Sequence, residues 1–390
     1  MRSRLRVLVV LDAFRLGGAE TLIAQLARVA DAADLELDVL SVLGPSPDRS
    51  RLAPMLTEAG VQPDYLGARR TVDPSAFARL VRRIRRDRPD VVHAHLEMAI
   101  TLALPAATLA GVPAVGTFHH VYRPLTGRQA ARERLAVEVA TRSDAAVFVS
   151  RASLASFAEQ YRPGQPPPPS WTVVHNGIDL DYFSPCPAGT LAALPADLDL
   201  DGHQVVTIVA ALRDFKGIGH AVRAWPQVAA RHPDARLLLV GTGSEEPALR
   251  AEVDRLGLGS RVVFAGMRTD IPAVLRGSDV VLLPSIYGEN LPTVLMEAGA
   301  CARPVVASDV GGIRDIVAHG ETGLLVEPGN SDGLAHALIR LLDDPGCAAQ
   351  LGVRGRRRVE RLFDARIWAE NLRDTYERAI AGRAGGGRAA

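Results

Sequence analysis

Twice along this chain a series of short apolar runs alternates with segments of helical period, and that rhythm restricts the fold more than any single residue does. The first series is Arg6 to Ala13, Leu35 to Val42, Asp90 to His93, Pro113 to His119, Ala145 to Ser150 and Trp171 to His175. The second is Gln204 to Ala211, Arg236 to Val240, Arg261 to Ala265, Asp279 to Pro284, Pro304 to Ser308 and Gly323 to Val326. Such runs, bounded by turn residues and separated by helices, are buried strands. The alternation predicts an α/β chain with two Rossmann-like halves, each a parallel sheet covered on both faces by helices. A length of 390 residues also favours two cores over one. We expect domains at 1–184 and 204–363, joined by a Pro- and Ala-rich linker at 185–203. PGQPPPP at 163–169 is read as a surface loop inside the first domain.

Bulk properties exclude several classes of partner. The formal net charge is +1, so no global field recruits nucleic acid or a membrane. Cys186, Cys301 and Cys347 are odd in number and scattered, which argues against disulfides and for a reducing, cytoplasmic setting. The basic-then-apolar start stops at Asp12, too short for a signal peptide. Met98 to Phe118 carries no charge, but Pro105, Gly111 and Pro113 interrupt it, so it reads as a buried helix and a strand.

The chemistry gathers in Ser285 to Gly312. Asp279-VVLLP is a strand, and Leu291 to Ala302 has the length and composition of a helix. Glu289 therefore lies in the loop past the strand, and Glu297 about two turns further on, so both can look into the crevice above the strand ends. The helix start offers amides to an anion. Locally, two solvated carboxylates are an equal alternative. In the second half Arg213 and Lys216 follow the first strand, and Lys216 is the only lysine among 45 basic residues. A compact ammonium suits a pyrophosphate oxygen, and a guanidinium supplies a planar fork beside it. Gly241 and Gly243, after the next strand, permit close ligand approach. Gly17 and Gly18 do the same after strand one, or form a plain tight turn. His93, His95, His119 and His120 sit near strand ends without carboxylate or Cys at ligand spacing, so no metal is expected. Asp197-Leu-Asp199-Leu-Asp201 lies in the linker and reads as a solvated loop.

Together, Ser285-x-x-x-Glu289, Glu297, RPVVASDVGG, GETGLLVEPG, RLGGAE, TFH and VHNGID resemble the signature of retaining glycosyltransferases of GT-B fold, the family-4 type, nearly end to end. The resemblance implies two domains facing across a central cleft, with a C-terminal helix, within 364–390, crossing back to the first domain. It implies that Glu289 faces the transferred sugar and Glu297 holds the ribose, with the amides around Asn290 and Leu291 near sugar and phosphate. Asn290 stands where a Gly is usual, which shifts the placement of those amides. Arg213 and Lys216 match the phosphate clamp, Gly17 and Gly18 the loop over the donor phosphates, and the segment around Arg268 the contacts to the base. His119, with His120 as the alternative, matches the histidine that touches the sugar, and His175 replaces a Pro near the hinge. The implied reaction is retaining transfer from a nucleotide-diphosphate sugar, a UDP-sugar with GDP-mannose as the alternative, to a hydroxyl of a glycan, lipid-linked or small-molecule acceptor. It needs no cofactor or metal. A nucleotide-sugar epimerase and a non-catalytic partner subunit are the rivals. The basic helix Pro74 to Arg88, with six arginines at 79–88, is either a solvated face or a peripheral contact to anionic lipid, as in some relatives.

Overall fold

In the computed structural model, which describes residues 3–15, 17–68, 73–186 and 192–386, the chain divides into 1–177 with 365–390 and, separately, 178–364. The first unit begins β1 (Leu5–Leu11), α1 (Gly18–Val29), β2 (Leu35–Leu43), α2 (Ala53–Glu58), β3 (Pro63–Ala68) and α3 (Pro74–Asp87). It continues β4 (Val91–His95), α4 (Glu97–Ala110), β5 (Ala114–Phe118), α5 (Gly127–Thr141), β6 (Ala145–Phe148), α6 (Arg151–Tyr161) and β7 (Trp171–Val173). Its strands lie side by side in the order β3-β2-β1-β4-β5-β6-β7, with all pairs parallel. Valine and leucine of β1 are buried on both faces, as a central parallel strand requires.

The second unit runs β8 (Val205–Val209), α7 (Ile218–Arg231), β9 (Arg236–Val240), α8 (Glu246–Arg255), β10 (Val262–Gly266), α9 (Ile271–Arg276) and β11 (Val280–Leu283). It closes with α10 (Thr293–Ala300), β12 (Val305–Ser308), α11 (Ile313–Ile316), β13 (Leu324–Val326), α12 (Ser331–Asp343) and α13 (Pro345–Leu362). The parallel order is β10-β9-β8-β11-β12-β13. In each sheet the order reverses beside the first strand, between β1 and β4 and between β8 and β11. There the loops leave in opposite directions and open a crevice at the carboxyl ends.

Every strand expected from the sequence is present, with ends that lie within two residues of those expected. Strand β3 was not expected: PDYLGA is an edge strand, only partly buried, opened by Pro63 and broken in register beside Leu43, and so has no continuous apolar run. The uncharged stretch divides into α4 and β5, with Gly111 at φ 79° ending the helix. Among the described residues no helix is long and apolar enough to cross a membrane.

The division within the structure lies just before the boundary expected at 184. The division falls at Gly177/Ile178 and again at Asp364/Ala365, and Ile178 N donates to Phe363 O at 2.8 Å where the two crossings meet. Of the expected linker, 187–191 lie outside the described residues. Leu194, Leu198 and Leu200 are not linker-like, because they are buried against Val205, Leu238 and Val274 of the second unit. Asp197 pairs with Arg268 on the surface.

The last helix, α14 (Ala365–Gly386), belongs to the first unit. Trp368, Leu372 and Tyr376 enter the core formed by β1 and α1. Arg373, whose side chain is 3% exposed, donates to the carbonyls of Ala33, Asp34 and Ser3 at 2.8–3.0 Å. Removing it strands several part-buried acceptors at once. Arg373→Ala should cost about 3 kcal/mol in urea unfolding, and Arg373→Lys clearly less; equal losses would show that the carbonyl contacts contribute nothing.

Candidate functional site

The crevice between β8 and β11 brings together the residues that the sequence singled out. After β8 the chain makes a single tight turn, Asp214–Lys216, and Gly217 at φ 64° starts α7. A Cβ at Gly217 would lie 2.1 Å from the Pro284 carbonyl oxygen, so only glycine allows the loop after β8 to rest on the end of β11. Ile286 N donates to Phe215 O at 2.8 Å and fastens the two loops. Lys216 Nζ thereby stands 2.5 Å from Glu289 Oε1, and the Ser285 hydroxyl donates to the same oxygen at 2.6 Å. Glu289 is 5% exposed. A carboxylate so buried is tolerable only with its charge paired and its oxygens bonded. The ammonium has three donors and gives one to Glu289.

Two more glycines hold Glu289 from behind. Gly312 N donates to Glu289 O at 3.2 Å, and Gly311, at φ 58°, approaches that carbonyl so closely that a Cβ would sit 1.8 Å from it. Their sequence signature is the Gly-Gly that closes RPVVASDVGG, just after β12. Asn290 and Leu291 are buried just before α10, whose N-cap is Pro292 with no side-chain cap. Glu297 lies one turn into α10 from Thr293, which hydrogen-bonds its carboxyl, and burial pushes that carboxyl up to about 7. Arg213 is exposed and lines a cavity of about 330 Å³ with Gly217, the first turn of α7, Arg223 and Glu245. A larger cavity, about 660 Å³, is bordered by Gln204, Asp279 and Pro304, which precede β8, β11 and β12. It opens at the amino ends of the strands, away from Lys216.

Two residues expected to meet the donor are engaged by the protein itself. At Gly243 a Cβ would lie 2.2 Å from Leu212 O, so the glycine is required by the packing of one loop on another. The Arg268 guanidinium is spent on Asp197 at 2.6 Å and Asp270 at 2.6 and 2.8 Å, which hold its pKa above the usual arginine range. It braces the segment before α9 and is not a free cation.

In the first unit, the crevice between β1 and β4 is of a different kind. Gly18 has open space around its Cα, while a Cβ at Gly17 would meet the movable Glu20 carboxylate. Asp12, past β1, accepts from Ala99 N at 2.7 Å, and burial pushes its carboxyl up to about 7. His119 follows β5, with Nε2 2.8 Å from Nδ1 of His95, and burial drives it down to about 3. His120 turns instead to Glu133, Nε2 to Oε2 2.7 Å. Glu97, His120 and Glu133 form the one group among the described residues whose ligand atoms approach metal spacing, within 4.8 Å of one another. Both oxygens of Glu133 are already used, one by His120 and one by the Tyr161 hydroxyl at 2.7 Å.

Comparison with known proteins matches both units. Residues 16–182 match the family described as Glycosyltransferase Family 4, and 203–344 match Glycosyl transferases group 1. An alpha-maltose-1-phosphate synthase of Mycolicibacterium smegmatis is 34% identical over 313 residues, 74% of this chain and 78% of that protein. A phosphatidyl-myo-inositol mannosyltransferase of Mycobacterium leprae is 31% identical over 380 residues, 93% of each. The crystal structure of Anabaena HepE in complex with UDP superposes with a TM-score of 0.83 at 24% identity, over 96% of this chain and all of that one.

The raised carboxyl of Glu297 gives a pH signature. Its ordinary value is 4.5 and its folded value about 7, so between these limits the unfolded chain ionises first and wild-type stability falls as pH rises. Glu297→Gln removes that loss. Urea unfolding should show a constant offset between the two proteins below about pH 4.5 and a gain for the variant that grows to as much as about 3 kcal/mol by pH 8. A pH-independent difference would mean that the carboxylate ionises freely.

Proposed function

This chain belongs to the family-4 glycosyltransferases, and from that premise we propose that it moves a sugar from a nucleotide-diphosphate sugar to an acceptor hydroxyl with retention of anomeric configuration. The observation that carries the reading is the Lys216–Glu289 pair, braced by Ser285 across the β8/β11 crevice, with the exposed Arg213 and two helix starts beside it. The donor diphosphate is held by Arg213, by the two donors that Lys216 keeps, and by the amides opening α7 and α10. Glu289 faces the transferred sugar, Glu297 accepts from the ribose hydroxyls, and the amides at Asn290 and Leu291 meet the phosphate. Gly17 and Gly18 leave room for close approach, and His119 serves a sugar hydroxyl. A UDP-sugar is the first choice of donor, since a neighbour in fold was crystallised with UDP.

In a same-face displacement, negative charge grows on the departing diphosphate, whose oxygen takes the proton of the attacking hydroxyl. Groups aimed at that charge lower the barrier because they bind the transition state more tightly than the ground state. Two cations and two helix starts neutralise it, so turnover needs no metal. The acceptor is a glycan, a lipid-linked sugar or a small molecule.

Purified protein given UDP-glucose and GDP-mannose, with and without EDTA, should release nucleotide only in the presence of an acceptor and be indifferent to chelation. Acceptor-independent conversion of the donor sugar would identify an epimerase instead. The Arg213 guanidinium is exposed and outside the core, so Arg213→Ala should leave stability nearly unchanged while lowering the rate on the order of 10² to 10³. Lys216→Ala should lose as much rate and also destabilise, because Glu289 is left buried and unpaired. Unchanged turnover in both variants would remove the assignment.

We also propose that α3 rests on anionic lipid. It buries Ala76, Leu80, Val81 and Ile84 and turns arginines outward. Asp64 and Asp87 neutralise part of that stripe through Arg83 and Arg86, so the binding should be weak and should fail at high salt. Sedimentation with vesicles containing phosphatidylserine, set against neutral vesicles, checks it; equal recovery in both supernatants excludes the contact.

A further inference from the structure

Three imidazoles stand in a column at the carboxyl ends of β4 and β5. His93 and His95 are two residues apart on β4 and so share a face, with ring centroids 4.0 Å apart. His119 continues the column 5.1 Å from His95, its plane 28° away from parallel. His93 is satisfied at both nitrogens, Nδ1 by the Tyr376 hydroxyl and Nε2 by the Thr117 hydroxyl, each at 2.7 Å. That anchors the base of the column. His95 is 1% exposed. Its Nδ1 meets Nε2 of His119 at 2.8 Å, and its Nε2 is buried with no hydrogen-bond partner. Leu96, which follows, holds φ 73° and ψ 162°, a conformation costly for a side-chain-bearing residue and typical of sites where geometry matters more than stability.

Two neutral imidazole nitrogens at this distance share one proton, so one ring donates and the other accepts. Were His119 the donor, from Nε2, His95 would keep its own proton on Nε2. That N–H would be buried with nothing to receive it. Orphaned buried donors are rarer than under-used acceptors, because a strong donor loses its water with no exchange. With His95 donating from Nδ1, the orphan is only a bare ring nitrogen. We propose that His95 is a positioning residue that donates from Nδ1 to Nε2 of His119 and so fixes His119 in the tautomer with its proton on Nδ1. His119 then offers an N–H to an oxygen of the substrate, and that use of it rests on the transferase reading above. Burial holds all three rings well below the usual histidine pKa, so the donor is a neutral imidazole.

The tautomer can be read without any activity. Long-range ¹H–¹⁵N correlation spectra of protein labelled at histidine, assigned by His95→Asn and His119→Asn, should show both His95 and His119 protonated at Nδ1 at pH 7. A His119 protonated at Nε2 overturns the proposal. His95→Asn keeps an amide donor near the position of Nδ1, whereas His95→Phe keeps only the ring. With melting and UDP binding as controls, His95→Phe should lower kcat/KM for the sugar donor by about tenfold or more, and His95→Asn by no more than about threefold. Equal losses in the two variants, at unchanged UDP affinity, overturn the positioning role. Should His95→Phe not fold, the wild-type spectrum and the His95→Asn kinetics still decide. Should the wild type transfer no sugar, the spectrum still decides the tautomer and only the transferase reading falls.

Discussion

A carboxylate that is 5% exposed governs the architecture of the second unit. Glu289 can be buried only because Lys216 and Ser285 both donate to its Oε1, and they reach it only because three backbone contacts are made without side chains. Gly217 rests on the carbonyl of Pro284, and Gly311 and Gly312 close on the carbonyl of Glu289. The reversal of strand order between β8 and β11 supplies the space, and the glycines set where within it the charges meet. A methyl group at any of the closest of these positions would move the loop by more than a hydrogen bond tolerates. The geometry of the ion pair is thus a property of main-chain packing, and the rest of the Lys216 ammonium inherits it.

The sequence exposes this part of the molecule well, for a physical reason. Paired apolar runs, turn glycines and one ammonium in an arginine-rich chain each leave a local trace. The alternation indicates two parallel sheets, and the position of Lys216 just past the first strand of the second one marks the crevice. What sequence conceals is the partner that uses up a group. Nothing in the sequence around Arg268 announces that Asp197, seventy-one positions away, shares its guanidinium with Asp270. The linker shows only its prolines and alanines, while the burial of Leu194, Leu198 and Leu200 depends on the sheet that they cover. Strand β3 is invisible because an edge strand needs no apolar run. The histidine pair on β4 is an intermediate case: the spacing His-x-His on a strand places both rings on one face, but that the second ring meets His119 follows from the β4–β5 register, in which His95 lies opposite Thr117.

The two crevices, each taken within its own unit, solve different electrostatic problems. The one beside β8 is built from full charges, with an ammonium, a guanidinium and a buried carboxylate. The one beside β1 is built from groups that burial keeps from full charge near pH 7: three imidazoles held neutral, below their usual range, and Asp12, raised to about 7 and so only half ionised there. Desolvation alone would achieve that for isolated groups, but the hydrogen bonds determine which neutral form is present. Tyr376 and Thr117 hold His93 and His95 holds His119, while the amides of Met98 and Ala99 draw Asp12 back toward its ionised form. A neutral donor discriminates by direction, since it has one proton at one atom, whereas a cation attracts any nearby anion over several ångströms. On the transfer proposed above, telling one sugar hydroxyl from its neighbours gains more from the first, and stabilising charge that grows on a diphosphate gains more from the second.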